Sequence, residues 1–562
     1  MATRTDSTSA NSPQGEAGTI QEGMFNGVPG AEALFGADGP FAAMFKPDMI
    51  GAMMQHGMDF YRQLFEIASG SSSIAPDPRD WRFQDEAWKT NPFYSRLAQA
   101  YLAMTQAVEA MIPDDLEGDA KARAELAASI VTSSFSPTNT LLGNPAAMSR
   151  AIETKGASLA KGFRNMVDDW INNGGMPNQV DDSNFEVGRN MAVTPGKVVR
   201  RTEMYELIQY APTTDKVHPI PVLVIPPQIG RYYFTDLAPQ RSFQEYGVSQ
   251  GLQHFVISWR NPSTDQRHWS LETYAGAALE AMETVAEITG QEKVNVVAFC
   301  AGGILSSIVL GHLAAKGRDL VNSFALCVTM LNFENDASIG SFRLPAVLSV
   351  AQAQSKMKGI LGGQDLSKVF AWLRPNDLVW NYWVNNYLMG DTPAAFDILA
   401  WNKDSTNMAG QLHADFLTLF KENSLIRQGE YVALGTPIDL SKIKCDSFVV
   451  GAVTDHITPW KACYQACTYL GGDSIFALSN GGHVAALVNP PGNPKAYHIV
   501  GPATAPDADT WQETGVKTPG SWWEGWAKWC GERSGKKVPA PKKLGSKAYP
   551  AGIAAPGEYV VQ

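Results

Sequence analysis

The chain has 562 residues, enough for a full α/β domain with a second unit beside it, and its 44% apolar content can bury a large core. A net charge of −11, with no basic tract beyond Lys536-Lys537 and Lys542-Lys543, argues against nucleic acid as a partner. Only 18% of residues are charged and 15 are tryptophan, so apolar surface is expected in a substrate channel or against a hydrophobic phase, unless a large aromatic core absorbs it.

Residues 1–40 are rich in Ser, Thr, Gly, Ala and Pro without apolar periodicity and are expected to be disordered. From 41 to about 190 the patterns are helical, as at 53–68 and 94–111, with breaks at Pro76-Asp77-Pro78 and Pro113-Asp114-Asp115. A helical N-terminal domain over 41–194 follows, and no catalytic constellation stands out in it. Dimer stabilisation and partner docking are among its open roles. The N-terminus lacks a basic start followed by an apolar run, and no stretch of about 18 apolar residues occurs, so a cytoplasmic location is expected.

Beyond 195 the periodicity changes. Strands are predicted at 198–210, 222–225, 254–259, 294–299, 323–330, 447–453 and 474–478, with a helix at 271–289, a pattern that packs as right-handed βαβ units. An α/β domain over 195–562 results. The interval of about 331–440 is too long for a loop and is predicted to be an inserted cap, rich in aromatics such as Phe333, Trp372, Trp380, Trp383 and Trp401. The tail from Lys536 is expected to run extended over the surface.

The stretch 293–304, K-V-N-V-V-A-F-C-A-G-G-I, reads as strand, sharp turn and helix, with Cys300 at the turn. A nucleophile elbow has this construction, because small residues must flank the reactive side chain; Gly302 fits that pattern, and Ala298 occupies the position usually held by glycine. A buried strand with an inert thiol would read the same way. Two later segments decide between them. The stretch 445–455 ends a core strand at Asp455, followed by His456, and 474–483 ends another in Gly481-Gly482-His483. Nucleophile, acid, histidine is the chain order of the α/β-hydrolase triad. His456 and His483 compete as base; His483 is preferred because adjacent residues in a turn point apart, which leaves His456 a supporting role.

The six cysteines are scattered. Cys463 and Cys467 have a metal-compatible spacing but no second pair, so core packing is expected. A free catalytic thiol implies a reducing compartment.

These residues together resemble the polyhydroxyalkanoate synthases, most closely the single-polypeptide class I type. The resemblance runs from about Trp81 to the C-terminus. It includes Gln84-Asp85-Glu86-Ala87-Trp88, Ile225-Pro226-Pro227 with Tyr232-Tyr233, Ser258-Trp259-Arg260-Asn261-Pro262, the 370–382 segment F-A-W-L-R-P-N-D-L-V-W-N-Y, Asp455-His456 with Pro459-Trp460, and Gly520-Ser521-Trp522-Trp523. It implies an α/β-hydrolase fold with a cap, behind a helical domain. It also implies an acyltransferase that polymerises short-chain (R)-3-hydroxyacyl-CoA into polyester with release of CoA. Cys300, Asp455 and His483 would form the triad, with His456 assisting deprotonation of the acceptor hydroxyl. The backbone N–H groups of Ala301 and of Ile229 or its neighbour Gln228 are candidates for the oxyanion hole. Trp401 and Ala485 are candidate acyl-site residues, and Arg231 and Arg260 weak candidates for CoA. No cofactor is implied, CoA being a product; a homodimer, granule-associated proteins and residence at the granule surface are. Ala298 is where the chain departs from most members, and it puts the rate in question. A cysteine thioesterase or depolymerase would use the same triad, and a non-catalytic scaffold would keep only the fold.

Overall fold

The structure, a computed structural model, describes residues 47–334, 340 and 343–562. The expected disorder of 1–40 lies outside the described residues. Five helices of more than two turns lead the described chain: α1 (Pro47–Ser69), α2 (Pro92–Glu109), α3 (Gly118–Ser134), α4 (Pro145–Glu153) and α5 (Ala157–Asn172). The Asn-Pro dipeptides start two of them. Asn91 and Asn144 accept the N–H groups of Phe93 and Ala147, while Pro92 and Pro145 supply a preset φ in the first turn.

Ten strands then form one sheet. They are β1 (Gly196–Arg201), β2 (Tyr205–Tyr210), β3 (Val222–Ile225), β4 (His254–Trp259), β5 (Val294–Phe299), β6 (Val321–Cys327), β7 (Asp446–Ala452), β8 (Ser474–Ser479), β9 (Tyr497–Pro502) and β10 (Val516–Pro519). Their order is β1-β2-β4-β3-β5-β6-β7-β8-β9-β10. The central six, β4 to β8, are parallel, and the two strands at each edge join antiparallel. Chain order reverses at β3, which lies between β4 and β5; the crevice at the carboxyl ends of such a switch point is where doubly wound sheets take ligands.

Burial follows the strand period of two. Leu223, Ile225, Val296 and Ala298 join one apolar cluster, and Val222, Val224, Val297 and Phe299 the other. Helices α6 (Leu271–Thr289) and α7 (Ala301–Ala315) cover the first face, and tryptophans 522, 523, 526 and 529 of a C-terminal helix, Trp522–Arg533, cover the second.

Three strand expectations need correction. The single strand predicted at 198–210 is the β1–β2 hairpin, because Thr202 turns the chain: its hydroxyl accepts the N–H groups of Met204 and Tyr205. The strand predicted to reach 330 stops at Cys327, where Val328 takes φ +42°. Strands β9 and β10 were not predicted; they are short, half-exposed and Pro/Gly-bounded, which weakens the alternation signal.

The interval 331–440 falls between the adjacent parallel strands β6 and β7, where the inserted cap is expected. From Met408 onward it joins the main core, with Leu412, Phe416 and Leu419 of the helix Gly410–Glu422 in the same cluster as α6 and α7. Its middle instead holds the N-terminal helices. Trp383 donates to Asn139 O at 3.0 Å, Tyr387 to Asp169 at 2.8 Å, Asn386 to Asn178 O at 2.7 Å, and Gly162 of α5 lies where any Cβ would collide with Tyr387 O. The tail runs extended, as expected: Val538–Pro539 pairs with Lys216–Val217, Ile553 O accepts from Val198 N at 2.9 Å, and Tyr559 and Val560 are buried. Among the described residues no helix is long and apolar enough to cross a membrane.

Candidate active site

Cys300 joins β5 to α7 with φ +49° and ψ −123°, a conformation that L side chains adopt only under restraint, at a cost on the order of 1–3 kcal/mol. Neighbouring groups supply the restraint. Cys300 N donates to Cys327 O at 2.9 Å, and Cys300 O accepts from Gly303 N at 2.8 Å and the Thr329 hydroxyl at 3.0 Å. The elbow packs so tightly that a Cβ on Gly302 would lie 2.4 Å from Ile225 O, and one on Gly303 2.2 Å from the Thr329 hydroxyl. Ala298 sits inside β5, in register with Ile225 and Leu326, fully buried and without positive φ, so its methyl group fits where the turn demands nothing of it.

Asp455 and His483 follow the carboxyl ends of β7 and β8, which are adjacent and parallel. The elbow lies two strands away, across β6. His483 Nδ1 donates to Asp455 Oδ2 at 2.6 Å. The carboxylate also accepts from Ile457 N at 2.8 Å, Thr458 N at 2.9 Å and the Thr458 hydroxyl at 2.7 Å, so a fully buried charge is well paired. Burial alone would raise the Asp455 carboxyl, yet the His483 imidazolium and the Thr458 bonds hold it below the usual carboxylate range. Burial would likewise depress His483; the Asp455 carboxylate first, and then the charge of the Cys300 sulfur, outweigh it and lift the imidazole to about 10. Imidazole and carboxylate thus form a hydrogen-bonded pair at the carboxyl ends of β7 and β8.

Cys300 and Cys445 are half-exposed and the other four cysteines are buried; only Cys300 sits at the strand-to-helix elbow. Burial pushes the thiols of Cys445 and Cys530 up to about 12, and those of Cys327, Cys463 and Cys467 well above their ordinary range. Cys463 and Cys467 both sit in the core cluster.

The remaining candidates divide. Ala301 opens α7, so its N–H has no intrahelical acceptor and lies at the positive end of the helix dipole; Ile229 packs against the same apolar cluster as Ala301. His456 is part-buried with Nδ1 unpartnered, and burial, then the Arg374 guanidinium, hold its imidazole below the ordinary range. Trp401 donates to Arg231 O at 2.9 Å and stacks obliquely on Phe234, against the loop after β3. Ala485 faces outward from the short helix His483–Leu487, while Ala486 is buried. Arg231 is already occupied: it is 7% exposed and binds Asp404 at 3.3 Å and Tyr559 O at 3.1 Å. Arg260 lies over the Tyr559 ring. Arg231 is therefore not free for a phosphate, whereas among the described residues no ion pair or side-chain hydrogen bond engages the Arg260 guanidinium.

Two threonines that no motif singles out buttress the site. Thr458 fixes the carboxylate, and the Asp-x-x-Thr spacing of a capping turn was the available signal. Thr329 fixes the elbow from across β6, a contact without any local sequence signal.

Comparison with known proteins adds the following. A family model described as "Poly-beta-hydroxybutyrate polymerase (PhaC) N-terminus" matches residues 79–247, and one described as "alpha/beta hydrolase fold" matches 221–490. The chain is 44% identical to poly(3-hydroxyalkanoate) polymerase 1 of Ectopseudomonas oleovorans over 90% of each chain. It is 43% identical to polymerase 2 of that organism over 89% of each. It is 37% identical to the poly(3-hydroxyalkanoate) polymerase subunit PhaC of Cupriavidus necator, over 95% of this chain and 91% of the other.

Proposed function

The chain belongs to the poly(3-hydroxyalkanoate) polymerase family, and we propose that it joins (R)-3-hydroxyacyl units from their CoA thioesters into polyester through an acyl group carried on Cys300. The observation that carries the Cys300 assignment is its place on a restrained elbow at the same end of the sheet as the hydrogen-bonded His483–Asp455 pair.

His483 Nε2 takes the thiol proton, and the sulfur attacks the acyl-CoA carbonyl. Charge on the carbonyl oxygen is met by the N–H groups of Ala301 and Ile229. The bond to CoA sulfur breaks, and CoA leaves with the proton from His483. Exchange of one thioester for another is nearly isoenergetic, so the acyl-enzyme persists until an acceptor arrives. The 3-hydroxyl of a second unit or of the growing chain then attacks, its proton passes to His483, and the bond to Cys300 sulfur breaks as the oxoester forms. Asp455 holds the imidazole so that Nε2 faces the reaction. A positioned hydroxyl outcompetes water because effective molarities of oriented partners reach about 10⁵ M.

His456 fits a supporting role in the second step, since its depressed basicity keeps it neutral and its Nδ1 unengaged. His456→Ala should therefore slow polymer growth while leaving the first CoA released per enzyme unchanged; slowed first release would remove it from this role. Ala298→Gly is expected to lower stability by about 0.5–1 kcal/mol, glycine's usual penalty within a strand, and to leave CoA release within about twofold. A faster enzyme would mean that the methyl strains the elbow.

Location at the surface of the polyester, in the cytoplasm and as a homodimer, goes with this reading. Apolar side chains on α1 and α5 support it: Tyr61, Phe65, Phe163, Trp170 and Ile171 are all exposed.

Incubation with (R)-3-hydroxybutyryl-CoA tests the whole. CoA release with insoluble ester polymer is expected; stoichiometric free 3-hydroxybutyrate would make the protein a thioesterase, and no acyl-enzyme at all would leave a scaffold.

A further inference from the structure

Gln228 lies two residues past Pro226, whose carbonyl oxygen would be 2.8 Å from a Cβ on Gly302. Two virtual Cα bonds span at most about 7.6 Å, so the Gln228 backbone lies beside the elbow. The residue is 3% exposed, and neither its amide oxygen nor its amide nitrogen has a hydrogen-bond partner. Two other polar side chains that follow it are engaged, while the Tyr232 hydroxyl is also buried without a partner. Arg231 binds Asp404 and Tyr559 O, and Tyr233 donates to Asp404 at 2.9 Å. Trp259 anchors the start of the loop, donating to Pro226 O at 3.0 Å. A buried amide with both ends unpaired opposes folding, and leucine or methionine would fill the same volume without that penalty.

We infer that Gln228 reads the 3-hydroxyacyl group, its Oε1 accepting from the 3-hydroxyl and its Nε2–H donating to the neighbouring ester or thioester carbonyl. The match is chemical. A carboxamide presents an acceptor and a donor side by side, and a 3-hydroxyacyl unit presents a donor hydroxyl and an acceptor carbonyl three carbons apart. A plain acyl chain offers only the carbonyl and leaves Oε1 unpaired. Gln228 is thus the residue by which the enzyme distinguishes a monomer that can be extended from one that would end the chain. This inference rests on the polymerase reading above.

The test compares single-turnover CoA release from (R)-3-hydroxybutyryl-CoA and from butyryl-CoA, in the wild type, Gln228→Leu and Gln228→Met. Both variants should lose preference for the hydroxylated substrate by about tenfold or more, because a site built to bond a hydroxyl discriminates through the group it leaves unpaired. Their thermal midpoints should rise, a change that separates a lost contact from a damaged fold. Methionine keeps the length of glutamine and serves if the leucine variant does not fold. An unchanged preference in a folded variant overturns the inference while leaving the polymerase reading intact. Failure of the wild type to release CoA from either substrate overturns both.

Discussion

Cys300→Gly is expected to abolish CoA release, by on the order of 10⁴-fold or more, and at the same time to raise the thermal midpoint of the protein. The first effect follows because no other thiol can substitute. Cys327, Cys463 and Cys467 are buried with their protons held, and the two remaining thiols, Cys445 and Cys530, are pushed up to about 12. The second follows from the backbone. At φ +49° and ψ −123° a side chain is strained, and glycine relieves strain on the order of 1–3 kcal/mol, partly offset by its extra freedom in the unfolded chain. Cys300→Ala provides the contrast: equally inactive, with no gain in midpoint. Thermal unfolding beside CoA release measures both. Residual release within tenfold of wild type would remove Cys300 as nucleophile, and a lower midpoint for glycine than for alanine would show that the elbow is not strained.

Asp455→Asn should slow CoA release by about 10²–10⁴-fold and reshape the pH dependence of stability. With the carboxylate gone, the largest upward influence on His483 is lost, and its imidazole falls from about 10. The sign of the stability effect follows from linkage. Asp455 is lowered by folding, so its contribution is present above the unfolded value of about 3.9 and is lost as pH falls through the folded one. His483 is raised, so its contribution is complete below about 6.5 and is lost as pH climbs through about 10. Wild-type stability from this pair should therefore hold between about pH 4 and 6.5 and decline on the alkaline side. The variant should lack that decline. Parallel alkaline slopes in denaturant titrations of the two proteins would show that His483 is not coupled to Asp455.

Much of this site is legible in the one-dimensional pattern because each member ends a strand. A buried parallel strand is a run of apolar residues, and a functional side chain at its carboxyl end interrupts the run abruptly, as at Cys300, Asp455 and Gly482-His483. The helix at 271–289 matches its predicted bounds, since Ser270 caps it and Gly290 ends it in the left-handed region. Strands β9 and β10 lacked such contrast, lying at one end of the sheet and being largely half-buried or exposed. Aromatics alone could not separate lid from scaffold: Trp383 and Tyr387 have the composition of an acyl site but donate their polar groups to Asn139 and Asp169 of the N-terminal domain.

Local chemistry along the chain thus determined the fold class, the elbow and the order of Cys300, Asp455 and His483 at strand ends, because strand termini and turns are encoded by neighbours. Tertiary structure alone decided the rest. It brought His483 rather than His456 onto Asp455, placed Thr329 under the elbow, tied up Arg231, and left the Gln228 amide buried and unpaired. Each of these depends on how segments 25 to more than 300 residues apart are packed, and burial, which sets both the basicity of His483 and the engagement of each polar group, exists only once they are.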